Sequence, residues 1–393
     1  MISAGEQAPA ILAWLRARED LLADLALALT ACESPTDDVQ ALEAIAELIR
    51  EELESLDYKC CAYQPAASGA RHMIASPRGC RWERYQLMVG HLDTVWPIGT
   101  LASMPAKRSA GSVWGPGVFD MKGGIAQMLF ALRALKCLEL EPTIVPVLFL
   151  NTDEETGSCE SWPHLRGLAR DAQRAFILEP AVGSRGALKT ARMGVGYFNI
   201  EVHGIGAHSG LDPQRGVSAV HELTNLVGQI LRFADPPELT INVGVIHGGT
   251  RHNVTAEHAY AQLEVRALRN EHMPVLQTRL SSLKTTDRRA RVSISGQWDR
   301  PALERTPRNE HLWTLARGQA RALGFELEQA TVGGASDGNL TSTLCPTLDG
   351  LGSVGEGAHA SSEHILVEHM PARAALLAQL LLSDDVADAQ RAA

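Results

Sequence analysis

Three short apolar runs, separated by helical segments, constrain the fold of this 393-residue chain more than any other feature. They cover residues 86–89, 143–151 and 175–178, and residues 123–138 between the first two have the spacing of a helix. Short apolar runs that alternate with helices are typical of βαβ units and of a parallel sheet buried on both faces. The sequence therefore predicts an α/β domain with a mixed, largely parallel sheet covered by helices.

The pattern changes near residue 192, where further strand-like and helical segments follow in the order β-α-β-β-α-β. The strand-like segments are residues 197–203, 239–247, 259–268 and 290–295, and the helical ones are 213–233 and 273–284. This order predicts an inserted ferredoxin-like α+β domain. We therefore expect a catalytic domain of residues 1–191 and 299–393 with an insertion of residues 192–298.

Helical spacing also predicts three helices outside the insertion. Residues 7–31 are expected to form one helix, a second helix follows Thr36 as its N-cap, and a third covers residues 309–323. The length of the chain is consistent with roughly two to three domains at about 150 residues each.

Composition excludes several classes of function. The net charge of 36 − 46 = −10 argues against binding to nucleic acid or to an anionic membrane surface. The longest clearly apolar run, residues 144–150, is far too short to span a bilayer, and the first residues do not resemble a secretory signal. The seven cysteines are scattered and form no C-x-x-C pair, which favours a reducing, cytoplasmic location without a disulfide framework.

Polar side chains with the chemistry of metal ligands follow the predicted strands or lie in glycine-rich loops. They are His91 and Asp93 in GHLDTV, Asp120 in GPGVFDMKGG, Glu154 and Glu155 in NTDEETG, Glu179 in LEP, and His359 in GAHASSE. Each motif alone has an ordinary explanation as a helix cap, a turn or a solvated loop. Together, two imidazoles and several carboxylates without a thiolate suit a pair of divalent ions such as zinc or cobalt.

The order of these motifs resembles the M20 metallopeptidase family, which includes glutamate carboxypeptidases, acetylornithine deacetylase and succinyl-diaminopimelate desuccinylase. The resemblance covers nearly the whole chain. It rests on GHLDTV, GPGVFDMKGG, NTDEETGS, LEP, GIGAHSG, GGASDG and AHASSEH in this order. The subgroup that the chain resembles most is that of the glutamate carboxypeptidases.

The resemblance implies two zinc ions per subunit, with Co²⁺ or Mn²⁺ as possible substitutes. His91 and Glu179 would hold one ion, Glu155 and His359 the other, and Asp120 would bridge both. His364 is the rival of His359 if that loop is read differently.

The resemblance also assigns roles to the residues around the metals. Asp93 would orient His91, and Glu154 would serve as general base and then as general acid. The bond between Asp120 and Met121 is expected to be a cis peptide, as it typically is in the family.

The insertion resembles the family's lid and dimerisation domain, which implies a homodimer. His208 in GAHSG would stabilise the oxyanion, and in some relatives the matching histidine reaches the site of the partner subunit. Asn253 and Arg266 resemble positions that contact the free carboxylate of the substrate. For Arg266, a surface role in a pair with Glu264 is the alternative.

These features predict a di-zinc hydrolase that removes a C-terminal, glutamate-like amino acid from an N-acyl or short peptide substrate. An N-acyl-amino-acid deacylase of the acetylornithine deacetylase or desuccinylase type is the close alternative. A non-catalytic dimeric binding protein is a remote one, because such a protein has no chemical reason to keep the base and the complete set of ligands.

Overall fold

A computed structural model describes residues 4–63, 69 and 71–385 of the chain. The chain divides into two compact units. Unit 1 takes the described residues up to Thr190, Arg305–Thr331 and the described residues from Ser336 onward, and unit 2 takes Ala191–Glu304 and Val332–Ala335.

The described residues contain ten α-helices and sixteen β-strands. The helices are α1 (Ala4–Arg16), α2 (Glu19–Thr30), α3 (Val39–Ser55), α4 (Gly123–Cys137), α5 (Trp162–Asp171), α6 (Ala219–Leu231), α7 (His272–Ser281), α8 (Pro307–Ala322), α9 (Asp337–Thr341) and α10 (Met370–Leu382). The strands are β1 (Tyr58–Tyr63), β2 (His72–Pro77), β3 (Tyr85–His91), β4 (Lys107–Ser109), β5 (Ser112–Trp114), β6 (Val145–Asn151), β7 (Ala175–Ile177), β8 (Leu188–Arg192), β9 (Gly194–His203), β10 (Leu239–Gly248), β11 (His258–Ala267), β12 (Arg291–Arg300), β13 (Gln329–Val332), β14 (Thr347–Leu348), β15 (Gly355–Glu356) and β16 (His364–Leu366).

The largest sheet of unit 1 has six strands in the order β1-β2-β6-β3-β7-β14. Strands β6, β3, β7 and β14 run parallel to one another, whereas β1 and β2 pair antiparallel at one side. The predicted mixed, largely parallel sheet is therefore confirmed, and its three predicted strands are the central ones, β3, β6 and β7.

Successive residues of the central strands enter two different cores, one on each face of the sheet. In β6, Leu148 and Leu150 pack into a core with helices such as α4 and α10, while Val147 and Phe149 pack on the other side with α5. This burial on both faces explains why the strands are continuous apolar runs in the sequence rather than alternating ones.

Parallel pairing brings the carboxyl ends of these strands to a single edge of the sheet. His91 at the end of β3 lies directly opposite Asn151 at the end of β6. The segment that carries Glu154 and Glu155 follows Asn151, and Glu179 comes two residues after the end of β7. Open α/β sheets build their sites at this edge.

The N-terminal part differs from the prediction in two details. Residues 7–31 form two helices, α1 and α2, and the chain turns at Arg18, whose guanidinium lies over the Trp14 ring and donates to the Trp14 carbonyl. The cap of α3 is Asp38, whose carboxylate accepts the Ala41 N–H at 3.0 Å, so the N-cap prediction for Thr36 is wrong. The helices predicted at 123–138 and 309–323 are α4 and α8.

Unit 2 contains the predicted β-α-β-β-α-β order as β9-α6-β10-β11-α7-β12. Its four strands form an antiparallel sheet in the order β10-β11-β9-β12, which is the ferredoxin-like arrangement. Alternate residues of β9, such as Phe198 and Ile200, are buried with residues of α6 and α7. The alternating pattern in the sequence therefore reflects a sheet that is covered on one face only.

None of the helices among the described residues combines the length and the apolar composition that a membrane span requires.

Two helical glycines provide a matched test of how tightly α4 must pack. A Cβ atom at Gly124 would lie 2.2 Å from the carbonyl oxygen of Leu178, whereas one at Gly167, exposed on α5, would have no atom of the described residues within 4 Å beyond its own helix. We expect Gly124→Ala to destabilise the protein by about 1–3 kcal/mol through overpacking. Gly167→Ala should stabilise it by about 0.5–1 kcal/mol through helix propensity. Urea unfolding of both variants checks this, and equal midpoints would contradict it.

Candidate metal centre

His91 is buried at the end of β3 and points its ring into a cluster of carboxylates. Its Nδ1 donates to the backbone carbonyl of Asp93 at 2.9 Å, so Nε2 is the nitrogen that would bind a metal ion in exchange for its proton. Nε2 lies 3.2 Å from Asp120 Oδ1 and 3.6 Å from Glu179 Oε1. The two strand ends and the intervening loop thus bring these three predicted ligands together.

Asp120 stands between the two predicted ligand histidines. Its Oδ1 faces His91 Nε2, and its Oδ2 lies 3.4 Å from His359 Nε2. His359 Nε2 is also 3.3 Å from Glu155 Oε2. The peptide bond from Asp120 to Met121 is cis, as the sequence resemblance implied.

The donor set fits divalent cations. Two overlapping groups of side chains have ligand atoms within 4.8 Å of one another, namely His91 with Asp120 and Glu155, and His91 with Glu154 and Glu179. Glu155 Oε1 is buried without a hydrogen-bond partner among the described residues, although a buried carboxylate oxygen normally has one. Converging carboxylate and imidazole groups with an orphaned oxygen are what a zinc-like ion or ion pair needs.

The electrostatics of the cluster also favour bound positive charge. Hydrogen bonds to Asp120 and Glu155 raise the pKa of His359 to about 10. Burial disfavours the charged form of His91, but hydrogen bonds to Asp120, Asp93 and Glu179 outweigh it and raise the pKa of that imidazole well above its usual value. Burial raises the pKa of Glu155, because the ionised form loses its hydration. The negative potential of these carboxylates, which raises the pKa of both histidines, also attracts a divalent cation.

Asp93 has a second contact set besides the one predicted for it. Its carboxylate lies 3.5 Å from His91 Nδ1, but the shorter contact of that nitrogen is to the backbone carbonyl of Asp93. The carboxylate instead accepts the N–H groups of Glu154 at 3.2 Å and Glu155 at 3.1 Å, and the hydroxyl of Thr36 at 2.8 Å. Asp93 therefore positions the turn that carries Glu154 and Glu155 (the glutamate turn), in addition to contacting His91.

Glu363 is a positioning residue that the sequence alone did not indicate. Its buried carboxylate accepts the backbone N–H groups of Gly117, Phe119 and Asp120 and the indole N–H of Trp96, at 2.9–3.0 Å. These bonds hold the loop that carries Asp120. Three of the four donors are backbone groups, which leave no signature in residue type, so only the acidic residue itself was visible in the sequence.

Lys189 on β8 is the second such residue. Its ammonium lies 3.4 Å from Glu179 Oε2, and both side chains are largely buried. The sequence signal was weak, because a lysine in a short strand usually lies at the surface. Its charge offsets that of the Glu179 carboxylate.

His359 and its rival His364 have different surroundings. His364 stacks on Trp114 with ring centroids 4.2 Å apart, and its Nδ1 contacts the carbonyl of Ser362. Neither histidine belongs to the two groups described above, but His359 Nε2 lies 3.3 Å from Glu155 Oε2 and 3.4 Å from Asp120 Oδ2. Asp337, in the Gly333–Gly338 loop, is buried and accepts from Asn151 Nδ2 at 2.7 Å and Ser158 Oγ at 2.5 Å, so it anchors the loop that follows β6.

The predicted residues of the insertion all lie in unit 2. His208 and Asn253 are neighbours, because His208 forms a bridge with Val254 and the Asn253 carbonyl accepts the Ser209 N–H at 3.1 Å. His208 Nδ1 accepts the N–H groups of Gly210 and Leu211 at 3.1 and 3.2 Å. In the neutral imidazole the proton is therefore on Nε2, which can donate a hydrogen bond.

Arg266 is engaged within unit 2. Its Nε donates to Glu264 Oε1 at 2.7 Å and its Nη1 donates to the Gly333 carbonyl at 2.5 Å. The pair with Glu264 is the alternative contact expected from the sequence, and a role in binding a substrate carboxylate stays a prediction.

Comparison with known proteins gives a consistent result. The family model for Peptidase family M20/M25/M40 matches residues 87–383. Carboxypeptidase G2 of Pseudomonas sp. (strain RS-16) is 26% identical over 358 residues, covering 89% of this chain and 86% of that protein. Succinyl-diaminopimelate desuccinylase of Paraburkholderia xenovorans (strain LB400) is 26% identical over 325 residues, covering 77% of this chain and 84% of that protein.

Solved structures show the same fold. Aminopeptidase PepT from Bacillus cereus is similar with a TM-score of 0.79 at 21% identity, covering 93% of this chain and 98% of that one. The Bacillus subtilis YXEP protein, described as a dinuclear metal binding peptidase from the M20 family, has a TM-score of 0.66 at 15% identity and the same coverage.

Asp93→Asn tests the positioning of the glutamate turn. The amide has one acceptor oxygen, so its NH₂ group would face a backbone N–H of Glu154 or Glu155. We expect metal affinity, measured by competition with a chelating dye, to fall about 10–100-fold. Thr36→Val, which removes one donor and keeps the carboxylate, should have a smaller effect. Wild-type affinity in Asp93→Asn would contradict the role.

Proposed function

This chain belongs to peptidase family M20/M25/M40, and we propose that it cleaves an amide bond next to a free carboxylate in a di-zinc centre. Membership in the family makes it a metal-dependent hydrolase. Beyond family membership, we propose the identity of the metal, its ligands, the proton carrier and the substrate class.

The main support for a two-ion centre is that the two carboxylate oxygens of Asp120 face two different histidines. Oδ1 lies 3.2 Å from His91 Nε2 and Oδ2 lies 3.4 Å from His359 Nε2. A carboxylate placed between two imidazoles is suited to bridge two ions. His91 and Glu179 would complete one side, and Glu155 and His359 the other.

The chemistry of the donors supports zinc, with Co²⁺ or Mn²⁺ as substitutes. Imidazole suits zinc and cobalt, and the carboxylates would also accept manganese. When bound, such ions lower the pKa of a water molecule and polarise the carbonyl of the scissile amide.

Glu154 is the proposed proton carrier. It lies beside His91 and Glu179 in the cluster, on a turn held by the Asp93 carboxylate. In this position its carboxylate takes a proton from the attacking water and delivers it to the leaving amine. Asp93, by fixing the backbone of Glu154 and Glu155, keeps the base and a ligand in register.

His208 is the proposed donor to the oxyanion. The backbone N–H groups of Gly210 and Leu211 occupy its Nδ1, which supports a tautomer with Nε2–H free to donate. A preorganised donor of this kind stabilises the negative charge that develops on the carbonyl oxygen.

The proposed leaving group is a C-terminal, glutamate-like amino acid. The likeness to Carboxypeptidase G2 over 89% of the chain supports removal of a C-terminal residue, and the motif resemblance supports a glutamate-like one. Asn253 and Arg266 remain the proposed contacts of the substrate carboxylate. Removal of an acyl group from an amino acid is the second candidate, because the desuccinylase relative is equally identical, at 26%.

We further propose a homodimer formed through unit 2 and a cytoplasmic location. All seven cysteines are free thiols, which supports a reducing compartment.

Glu154→Gln distinguishes a proton carrier from a metal ligand, because Glu154 belongs to one of the candidate metal groups. We expect kcat to fall about 10²–10⁴-fold while the metal content per chain stays at the wild-type value. The assay is amide hydrolysis combined with metal analysis of the same sample.

The matched control is Glu141→Gln, which removes an exposed carboxylate elsewhere in unit 1 and should leave kcat unchanged. A loss of bound metal in Glu154→Gln would show that Glu154 is a ligand. Near-normal hydrolysis with metal retained would refute its role as base.

A substrate panel tests the reaction itself. Zinc-loaded protein is incubated with dipeptides and N-acyl amino acids that carry C-terminal glutamate or a non-acidic residue, and amine release is measured with and without a chelator. We expect chelator-sensitive cleavage that favours C-terminal glutamate. Preference for short acyl groups on other amino acids would replace this proposal with the deacylase, and binding without turnover would favour the non-catalytic alternative.

A further inference from the structure

We propose that unit 2 carries a separate metal site, formed by Glu201, His203 and His258, that binds a zinc-class divalent ion. These residues lie on the exposed face of the four-stranded sheet of unit 2, opposite the face packed against α6 and α7. The site shares no residue with the candidate centre of unit 1.

The strand register builds this group. His203 on β9 and His258 on β11 are direct partners across an antiparallel pair, so their side chains leave the same face at short separation. Glu201 precedes His203 by two residues and therefore points to that face as well. Two ligands at i and i+2 on one strand and a third across from them form a triangle without any loop rearrangement.

The distances are close to those a bound ion requires. His258 Nε2 lies 2.7 Å from Glu201 Oε1, and His203 Nε2 lies 3.6 Å from the same oxygen. All three ligand atoms lie within 4.8 Å of one another, and the two imidazole rings are 5.0 Å apart. Ligands at ~2 Å from a tetrahedral ion stand roughly 3.3 Å apart, so small side-chain rotations suffice.

The ligand chemistry selects the class of ion. Two imidazoles and one carboxylate suit Zn²⁺, Cu²⁺ or Ni²⁺, whereas Mg²⁺ and Ca²⁺ prefer sets made of oxygen atoms. The three side chains are 46–53% exposed, which leaves space for water to complete the coordination.

The competing explanation is a surface hydrogen bond between His258 and Glu201. A hydrogen bond needs only these two residues, whereas a metal site also uses His203. A bound ion would take the place of the proton between His258 Nε2 and Glu201 Oε1. This proton would move to solvent or to His258 Nδ1. The contribution of His203 is therefore the feature to test.

The chain offers a matched control on the same face. His247 on β10 pairs with Tyr260 and stacks on its ring at 5.3 Å, but it does not belong to the candidate metal group. Removing His247 deletes an exposed imidazole without deleting a proposed ligand.

The experiment counts bound zinc in the full chain. Metal-stripped wild type, His203→Ala, His258→Ala and His247→Ala are dialysed against the same low concentration of free Zn²⁺ and analysed for metal per chain. We expect one zinc fewer per chain in His203→Ala and His258→Ala, and the wild-type number in His247→Ala. Because the readout is a difference between variants, it does not depend on how many ions unit 1 holds or on hydrolysis.

For a spectroscopic readout, the most weakly bound zinc ion is removed from the zinc-loaded protein, and Cu²⁺ is then added. The wild type should give an electron paramagnetic resonance signal with hyperfine coupling to two nitrogens, and His203→Ala should reduce it to one. Equal zinc content in all four proteins overturns the proposal. An equal loss in His247→Ala also overturns it, because it would indicate general binding to surface imidazoles.

Discussion

Several carboxylates lie close together at one buried edge of the sheet and repel one another. The surrounding structure has to compensate for this repulsion. Asp93, Asp120, Glu155 and Glu179 converge there with the imidazoles of His91 and His359. Buried charges are costly unless they are paired, hydrogen-bonded or bound to metal. These carboxylates share the two imidazoles as partners. Among the described residues, the buried Oε1 of Glu155, a proposed metal ligand, has no hydrogen-bond partner.

Compensation outside the centre comes from backbone donors and from one cation. The Asp93 carboxylate is held by two N–H groups of the glutamate turn, and Glu363 accepts three N–H groups of the loop around Asp120. Lys189 lies against Glu179. The strand ends bring the ligands close together, and Asp93, Glu363 and Lys189 then fix the orientation of those ligands.

Much of the fold was accessible from the sequence because its signals are local and periodic. Apolar runs predicted the central strands, and alternation predicted the ferredoxin-like sheet. The break between α1 and α2 was missed because Ala17 and Arg18 suit a helix as well as a turn, and packing of α1 on α10 and of α2 on α4 decides between them. Thr36 and Asp38 are both good N-caps, and only the fold reveals that Thr36 serves Asp93 instead. The contacts of Glu363 could not be predicted from the sequence, because most of its donors are backbone N–H groups, which nearly every residue type has.

We proposed that Asp120 bridges two ions, and an anomalous diffraction map of zinc-loaded crystals would locate those ions relative to its carboxylate. We expect two peaks roughly 3.5–4 Å apart, with the Asp120 carboxylate between them. His91 and Glu179 should flank one peak, and Glu155 and His359 the other. A single peak, or two peaks of which only one contacts Asp120, would show that Asp120 is not a bridging ligand.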